Sequence, residues 1–533
     1  MQDNVHELML AEKAITEKDY LQAIVYYESY LKTHLLTVEV AHNLSLLYIK
    51  ISAHEKAKSL LLQAIKLFPE TDSLYRQLGN FWKMLGELTK AETCYNKALA
   101  INNQEASTYN NLGLLFLQKN TLLEAERNFK QALTLKGDYF TAMYNLALCY
   151  KAQKDNRQTV ACLLSIISAN PNYGQAYFLL GQILLEEKNS QEALQYFHRV
   201  ASLYPDDVDI LHNITISLLE KGYYKEAKPY CLTVADLQPN NTIAIFNLGV
   251  IAEKMGSYAE AMNFYEHVLT INPNYFPALN NLAIINLETQ NFDKAKKLFE
   301  QALQIEPNNK SIIHTLSAIK GDQSIDCPPP EYIKTLFDQY ADHFEEHLVK
   351  GLDYQVPLLF KQMLERNKLL LEKHYLLLDL GCGTGLVGAV LQDFAANLVG
   401  VDLSLRMLEQ AKQKNLYSQL INDEIVHYLS TTIKQFNLIV AADVLVYFGN
   451  LEQLFFALKK CLMPKGYFMF SIENYHKGEF LLQKSGRFAH SQQYIEALIK
   501  KYDFSLRDSQ LSITRMQNNK PVAGIILLLQ RNK

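Results

Sequence analysis

The 533-residue sequence has few of the residues that interrupt or staple a chain. Fourteen prolines and 21 glycines are too few for a collagen-like or linker-dominated protein. Its seven cysteines, Cys94, Cys149, Cys162, Cys231, Cys327, Cys382 and Cys461, are odd in number and scattered, and no two form a CxxC pair. That argues against a disulfide framework and a zinc site, so no metal is expected, and it points to a reducing compartment. No apolar run is long enough to cross ~30 Å of hydrocarbon. The most notable, Val522 to Leu529, is interrupted by Gly524 and reads as a buried strand. The first twenty residues carry acids early and lack the basic start and apolar core of a signal peptide. A soluble, cytoplasmic protein with no membrane partner is therefore expected. Neither sign of charge dominates: residues 1–320 hold 29 Lys+Arg and 33 Asp+Glu, and residues 321–533 hold 23 of each. Neither part is basic enough to make phosphate-backbone binding its main task, so no nucleic-acid partner is expected. With 49% hydrophobic and 20% charged residues, the chain is ordinary globular material, not a disordered one.

What the first part does have is a period. Ala23, Ala57, Ala91, Ala125, Ala193, Ala227, Ala261 and Ala295 fall on one 34-residue grid, with Thr159 in the remaining slot. Twelve residues before each slot stands a small residue or Thr: Ala11, Ser45, Gly79, Gly113, Ala147, Gly181, Thr215, Gly249 and Ala283. Twelve after it come Pro69, Pro171, Pro205, Pro239, Pro273 and Pro307, and large aromatics recur as Tyr95, Phe129, Phe197, Tyr265 and Phe299. Each register reads as two short antiparallel helices. Small residues let them approach, aromatics fill between them, and Pro starts the next unit. Nine registers run without insertion from about residue 4 to residue 309.

This pattern resembles the tetratricopeptide repeat (TPR), which implies an all-α superhelix over 4–318 whose concave groove binds a protein or peptide partner. Two residues before the small position, Asn recurs as Asn43, Asn111, Asn145, Asn213, Asn247 and Asn281, with Gln77 in a seventh slot. An amide both donates and accepts, so a row of them can pair with any peptide unit. It can equally satisfy neighbouring helix backbone. Similarity to the TPR array of O-GlcNAc transferase implies the first use, with these residues lining a peptide-binding groove.

After Ala318 the pattern stops, and Gly321 to Pro330 packs three prolines behind polar residues. The boundaries expected are a linker over 319–330 and a second domain over 331–533, entered through two helices within Glu331 to Phe360 (Leu336, Phe337, Tyr340, Phe344 and Leu348 at helical spacing). Strands are expected at Tyr375 to Leu380, Asn397 to Val401, Phe436 to Ala442, Tyr467 to Ile472, Leu506 to Met516 and Val522 to Gln530, the last two joined at Gln517 to Lys520. Helices are expected at Leu405 to Lys414, Leu451 to Leu462 and Gln492 to Lys501. Alternating strands and helices with a closing hairpin predict a doubly wound sheet whose last strand is antiparallel.

The first of these strands runs into Asp379-Leu380-Gly381-Cys382-Gly383-Thr384-Gly385. Such a turn lets a ligand approach the backbone beside a helix N-terminus. The dinucleotide spacing fails because Leu386 follows Gly385, and no GxxxxGK[ST] is present. Asp402 ends the second strand, 21 residues past Gly381, where a carboxylate can accept two ribose hydroxyls. DLGCGTG with this acid resembles class I S-adenosylmethionine-dependent methyltransferases, which have a Rossmann-like α/β domain with a seven-stranded mixed sheet. The resemblance implies S-adenosylmethionine as cofactor. Gly381, Gly383 and Gly385 would flank its methionine and ribose portions, with Asp379 near the sulfonium end and amino group and Asp402 on the ribose. Leu403 and Met407 would pack on adenine, Asp423 would meet the adenine amine, and the backbone of Ala441 and Ala442 the methionine ammonium. The segments Phe337 to Leu348, Asp443 to Gly449 and Gly486 to Ser491 resemble those of TPR-containing methyltransferases.

Absence of an Asn-Pro-Pro-Tyr-like segment at Ala442-Asp443-Val444-Leu445 disfavours an amide or base nitrogen as acceptor. Candidates for the pocket mouth are Tyr340, Asp443, Tyr447, Glu473, Arg487 and His490, with Tyr340 and His490 taken as the acceptor-side, catalytic pair. Each also has a plain structural use, Tyr340 as helix core and Asp443 and His490 as capping partners. Three functions stay open: a methyltransferase whose repeats deliver a protein acceptor, one acting on a small molecule with the repeats for assembly or localisation, and a non-catalytic scaffold with a regulatory cofactor site.

Overall fold

A computed structural model describes residues 3–322, 325–341, 344–346, 348, 352–369, 375–517 and 520–532. It divides into two compact units, Met1–Met255 and Gly256–Lys533, so the last repeats share a unit with the α/β part.

The first unit is all helical. After Asp3–Thr16, helices of 14 and 13 residues alternate from Tyr20–Thr33 onward, each packed on the next. The small grid positions do what their size predicts. A Cβ on Gly79 would lie 2.5 Å from the Tyr95 ring, one on Gly113 2.5 Å from Phe129, and one on Gly181 2.8 Å from Phe197. All three rings are fully buried. The turn between the paired helices has its own 34-residue beat: Lys18, Ser52, Gly86, Asn120, Lys154, Lys188, Gly222, Gly256 and Gln290 all have positive φ, between 59° and 80°. Glycine occupies only three of these positions, which is why the beat is silent in the composition. The other six carry the strain of a left-handed side chain to keep one turn geometry.

In the second unit the repeat pattern ends with helix Lys310–Lys320, stopped by Gly321 in the left-handed region. Helices Pro330–Tyr340 and Val356–Arg366 lead into the sheet. Of the segment Phe337 to Leu348, Asp342, His343 and His347 lie outside the described residues, as do Asn518 and Asn519 of the hairpin joint. The strands are β1 (Tyr375–Leu380), β2 (Ala395–Asp402), β3 (Gln419–Asn422), β4 (Phe436–Ala441), β5 (Leu462–Tyr475), β6 (Phe480–Leu482), β7 (Phe488–Ser491), β8 (Phe504–Gln517) and β9 (Lys520–Arg531). The expected seven-stranded mixed sheet is present as β3-β2-β1-β4-β5-β9-β8, parallel up to β5, with β9 antiparallel to β5 and to β8. A short hairpin, β6 and β7, adds two strands, β7 pairing with β5 at Glu473 to Tyr475. Three strands escape the sequence reading because they are three or four residues long, too short for a period to show. Met463 to Gly466, just past the expected helix Leu451 to Leu462, lies within β5, yet a turn is kept there: Lys465 has φ 63° and the β4–β5 register slips between Phe436 and Leu438.

Candidate active site

The carboxyl ends of β1, β2 and β4 converge on a cavity of about 620 Å³, within the range of small-molecule sites. Its floor is the glycine turn. Gly381 and Gly383 have φ 62° and 52°, a conformation that costs a side chain energy and lets the backbone fold under a ligand. A Cβ on Gly381 would also strike Val444 at 2.5 Å. Asp402 joins turn to strand: its Oδ2 accepts from Gly383 N and its Oδ1 from Ser404 N, each at 2.8 Å. A carboxylate oxygen has two lone pairs, so both oxygens keep capacity toward the cavity they line. Burial raises the Asp402 carboxyl to about 6 against the pull of these backbone donors. Asp379, under the turn, is buried; Tyr417 donates to its Oδ2 at 2.7 Å, while its Oδ1 has no partner. Desolvation raises it to about 7. Thr384 Oγ1 is likewise buried without a partner at the cavity edge.

The opposite wall comes from the segment read as a linker. Asp326, Cys327, Pro328 and Pro330, then Ile333 and Phe337, line the cavity. The Asp326 carbonyl accepts from Gly449 N at 2.6 Å, so this stretch is docked rather than spanning free. Helix Pro330–Tyr340 is tied down beside Asp402: Ser404 Oγ donates to Asp338 at 2.5 Å, and Arg406 donates to the Asp338 carbonyl at 3.2 Å. Phe337 meets Tyr447 edge-on, with ring centroids 5.6 Å apart.

Beside Tyr447 lies a buried set of four charges. Arg487 reaches Asp443 at 3.0 Å and Glu473 at 2.9 Å, and Arg515 reaches the same acids at 2.9 and 2.7 Å. Gln483 donates to the second oxygen of Glu473 at 2.7 Å. The Arg487 guanidinium also covers the Tyr447 ring at 5.3 Å, and Tyr447, Asp443 and Glu473 together hold its pKa above the ordinary arginine value despite desolvation. Two acids and two guanidiniums leave the set neutral, and its closeness fixes Arg487 and Asp443, both lining the cavity. Asp443 itself has φ 59°, so the backbone bends there to aim it. Arg515 was missed by the sequence reading: it lies on β8, 72 residues from Asp443, and no local pattern marks it.

The remaining expected residues divide. Leu403 and Ala442 line the cavity, whereas Ala441 and Met407 are fully buried behind it. Asp423 pairs with His427 at 2.8 Å, and its neighbour Glu424 faces the cavity instead. Tyr340 stacks edge-on with Phe344 at 5.9 Å and is not among the lining residues. His490 is fully buried in β7, with Nε2 3.1 Å from the Gly449 carbonyl. Desolvation lowers its pKa to about 4, and it too stands away from the lining. The cap next to it is Ser491, which accepts from Tyr494 N at the start of helix Gln492–Lys501.

The amide row is not uniform. Asn145 and Gln77 are buried: Asn145 donates to Asn110 at 2.8 Å, and Gln77 to Ser45 and the His42 carbonyl at 2.7 and 2.9 Å. Asn247 is buried with its Nδ2 unpartnered. Asn43 and Asn281 donate to Tyr27 and Tyr265 at 3.2 Å each, Asn111 donates to Asn80 at 2.9 Å, and Asn213 is exposed. Among the described residues no helix is long and apolar enough to cross a membrane.

Three stretches of the chain match known families. Residues 252–319 match the tetratricopeptide repeat family, residues 378–470 the methyltransferase domain family, and residues 3–209 the C-terminal domain of cilia and flagella-associated protein 70. A ubiquinone biosynthesis O-methyltransferase of Rickettsia typhi (strain ATCC VR-144 / Wilmington) is 27% identical over 170 residues, which are 30% of this chain and 65% of that protein. The chain thus spans just under two thirds of that relative. Among solved structures, YrrB, a TPR protein with an unusual peptide-binding site, is 23% identical with a TM-score of 0.28, covering 35% of this chain and 95% of its own. An S-adenosylmethionine-dependent methyltransferase of Clostridium acetobutylicum ATCC 824 is 19% identical with a TM-score of 0.28, covering 37% and 100%. The chain is a tetratricopeptide-repeat protein with a C-terminal methyltransferase domain.

Proposed function

We propose that the C-terminal half transfers a methyl group from S-adenosylmethionine to an acceptor seated in the cavity, and that the repeats bind a protein or peptide partner. The observation that carries the reading is the joint of glycine turn and Asp402, with Asp379 Oδ1 and Thr384 Oγ1 buried and unpartnered beside it. Thr384 lines the cavity, so its Oγ1 fits a polar ligand laid on the turn, while Asp379 stands buried beneath that turn. Bound there, the cofactor would supply an electrophilic methyl group on a sulfonium. Asp402 would hold its ribose, the backbone of Gly381, Gly383 and Gly385 would follow its length, and Leu403 and Ile425 would flank its base. On the other side Pro328, Pro330, Ile333 and Phe337 would exclude water, and Tyr447, Asp443 and Arg487 would orient the acceptor. Asp443 is engaged by two guanidiniums, which favours an orienting role over that of a free base.

The cavity wall built from 326–337 favours a small or side-chain-sized acceptor. The relative from Rickettsia typhi, an O-methyltransferase by name, makes oxygen the first acceptor atom to try. The test is transfer of label from methyl-labelled S-adenosylmethionine in a source-cell extract by the full chain and by Asp402→Ala. Label that depends on Asp402 supports methyl transfer. Its appearance in precipitable protein means the repeats deliver the acceptor, and its appearance in soluble material means a small-molecule enzyme. No label in either, with no heat of cofactor binding, ends the reading.

A further inference from the structure

His314 belongs to the terminal repeat helix Lys310–Lys320 yet is buried against the hairpin that carries Arg487. Its Nε2 lies 3.1 Å from the Gly486 carbonyl. Its ring packs on Tyr332 of the cavity-wall helix, with centroids 5.1 Å apart, and on Phe488 of β7 at 6.4 Å. A carbonyl only accepts, so Nε2 carries the proton. The other nitrogen, Nδ1, is then a bare acceptor, and it is buried without a partner. Desolvation lowers the pKa of this ring, which keeps it in that neutral form.

Gly486 sits at the bend of a closed turn. Its N donates to the Gln483 carbonyl at 2.9 Å, and Gln483 N donates to the Arg487 carbonyl at 2.8 Å. Its φ of 79°, and a would-be Cβ only 3.1 Å from the Tyr332 hydroxyl, favour glycine there. The next residue is Arg487, held by Asp443 and Glu473 at the cavity. Around the same spot Ala318 of the repeat helix joins Leu482 and Phe488 in one small core, with Ile325 and Phe480 packed on it. A side chain from the repeats therefore reaches within one residue of the cavity wall.

We propose that His314 is a positioning residue: by donating to the Gly486 carbonyl it fixes the turn that aims Arg487 into the cavity, so the last repeat completes the methyltransferase site. This rests on the methyl-transfer reading above. The test uses the full chain with His314→Phe, which keeps a ring but no donor, and His314→Gln, which restores an N–H at similar reach. In the phenylalanine variant, amide exchange over 480–491 should quicken about tenfold, the equivalent of one lost hydrogen bond. Label transfer should fall by about the same factor, with the dissociation constant for S-adenosylmethionine within about twofold of wild type. Glutamine should restore both. His314→Met serves if the phenylalanine variant does not fold. Unchanged exchange or transfer in a folded donor-less variant overturns the proposal, as does failure of glutamine to restore them. If the wild-type chain binds no S-adenosylmethionine, the methyl-transfer reading fails by itself, while the exchange measurement still decides whether His314 holds the turn.

Discussion

Asp379 and Asp402 are carboxyl groups placed where water reaches poorly, and their behaviour with pH follows from that. Both have folded-state values above the ordinary 3.8, about 7 and about 6, with desolvation the largest cause. A raised acid favours the fold while protonated, and that contribution is lost as pH rises from about 4 through the folded value. The stability gained by Asp379→Asn over wild type should therefore grow between pH 4 and 7, by at most about 1.4 kcal/mol per unit. Denaturant midpoints at a series of pH values measure it, and a difference flat with pH would contradict the burial argument. Asp402→Ala removes the acceptor of both Gly383 N and Ser404 N. Calorimetry should then show S-adenosylmethionine affinity reduced about tenfold or more, the loss of about 1.5–3 kcal/mol expected for hydrogen bonds to a charged group. Asp402 was legible in the sequence because its distance from Gly381 is set by one strand–helix–strand unit. Arg515 was not, since it meets Asp443 only through the closing of the sheet. His490 shows the opposite error. Its place in the segment Gly486 to Ser491 made it a candidate for the pocket mouth, but β7 is buried at every position, and a four-residue strand gives no alternation to reveal that.

At the scale of elements, repeat helices touch where glycine meets an aromatic ring. Gly113→Ala places a Cβ 2.5 Å from Phe129, and overpacking of this kind costs about 1–3 kcal/mol. Gly137→Ala has nothing nearer than 4.0 Å and no positive φ, so it should stay within about 0.5 kcal/mol. Comparing the denaturant midpoints of the two variants separates crossing distance from mere loss of glycine. The 34-residue period made these contacts readable in advance, because repetition multiplies a weak local signal nine times. It hid the left-handed turn position, where six non-glycine residues tolerate the same geometry as three glycines. In the α/β part, six-residue strands such as β1 and β4 were legible from apolar runs. At Met463 to Gly466 the pairing with β4 skips from Leu462 to Tyr467, so a turn lies within a strand and no sequence rule separates the two.

At the scale of the molecule, the compact unit that carries the cavity begins at Gly256, well before the proline-rich segment. A chain starting at residue 256 should fold cooperatively. One starting at residue 321 loses His314 and Ala318, exposes Leu482 and Phe488, and should melt lower or aggregate. Differential scanning calorimetry of the two pieces decides this, and equal stability would place the boundary where the sequence alone suggested it. The sequence by itself determined the repeat period, the order of the longer strands and helices, and the glycine turn with its acid, because each is written in local spacing that chain geometry converts directly into form. Only the tertiary structure decided that the proline-rich segment walls the cavity, that four charges from four separate segments neutralise one another beside it, and that a histidine from the repeats braces the turn before Arg487. Those contacts join residues up to 172 positions apart, and such pairings depend on how finished elements pack, which no local pattern encodes.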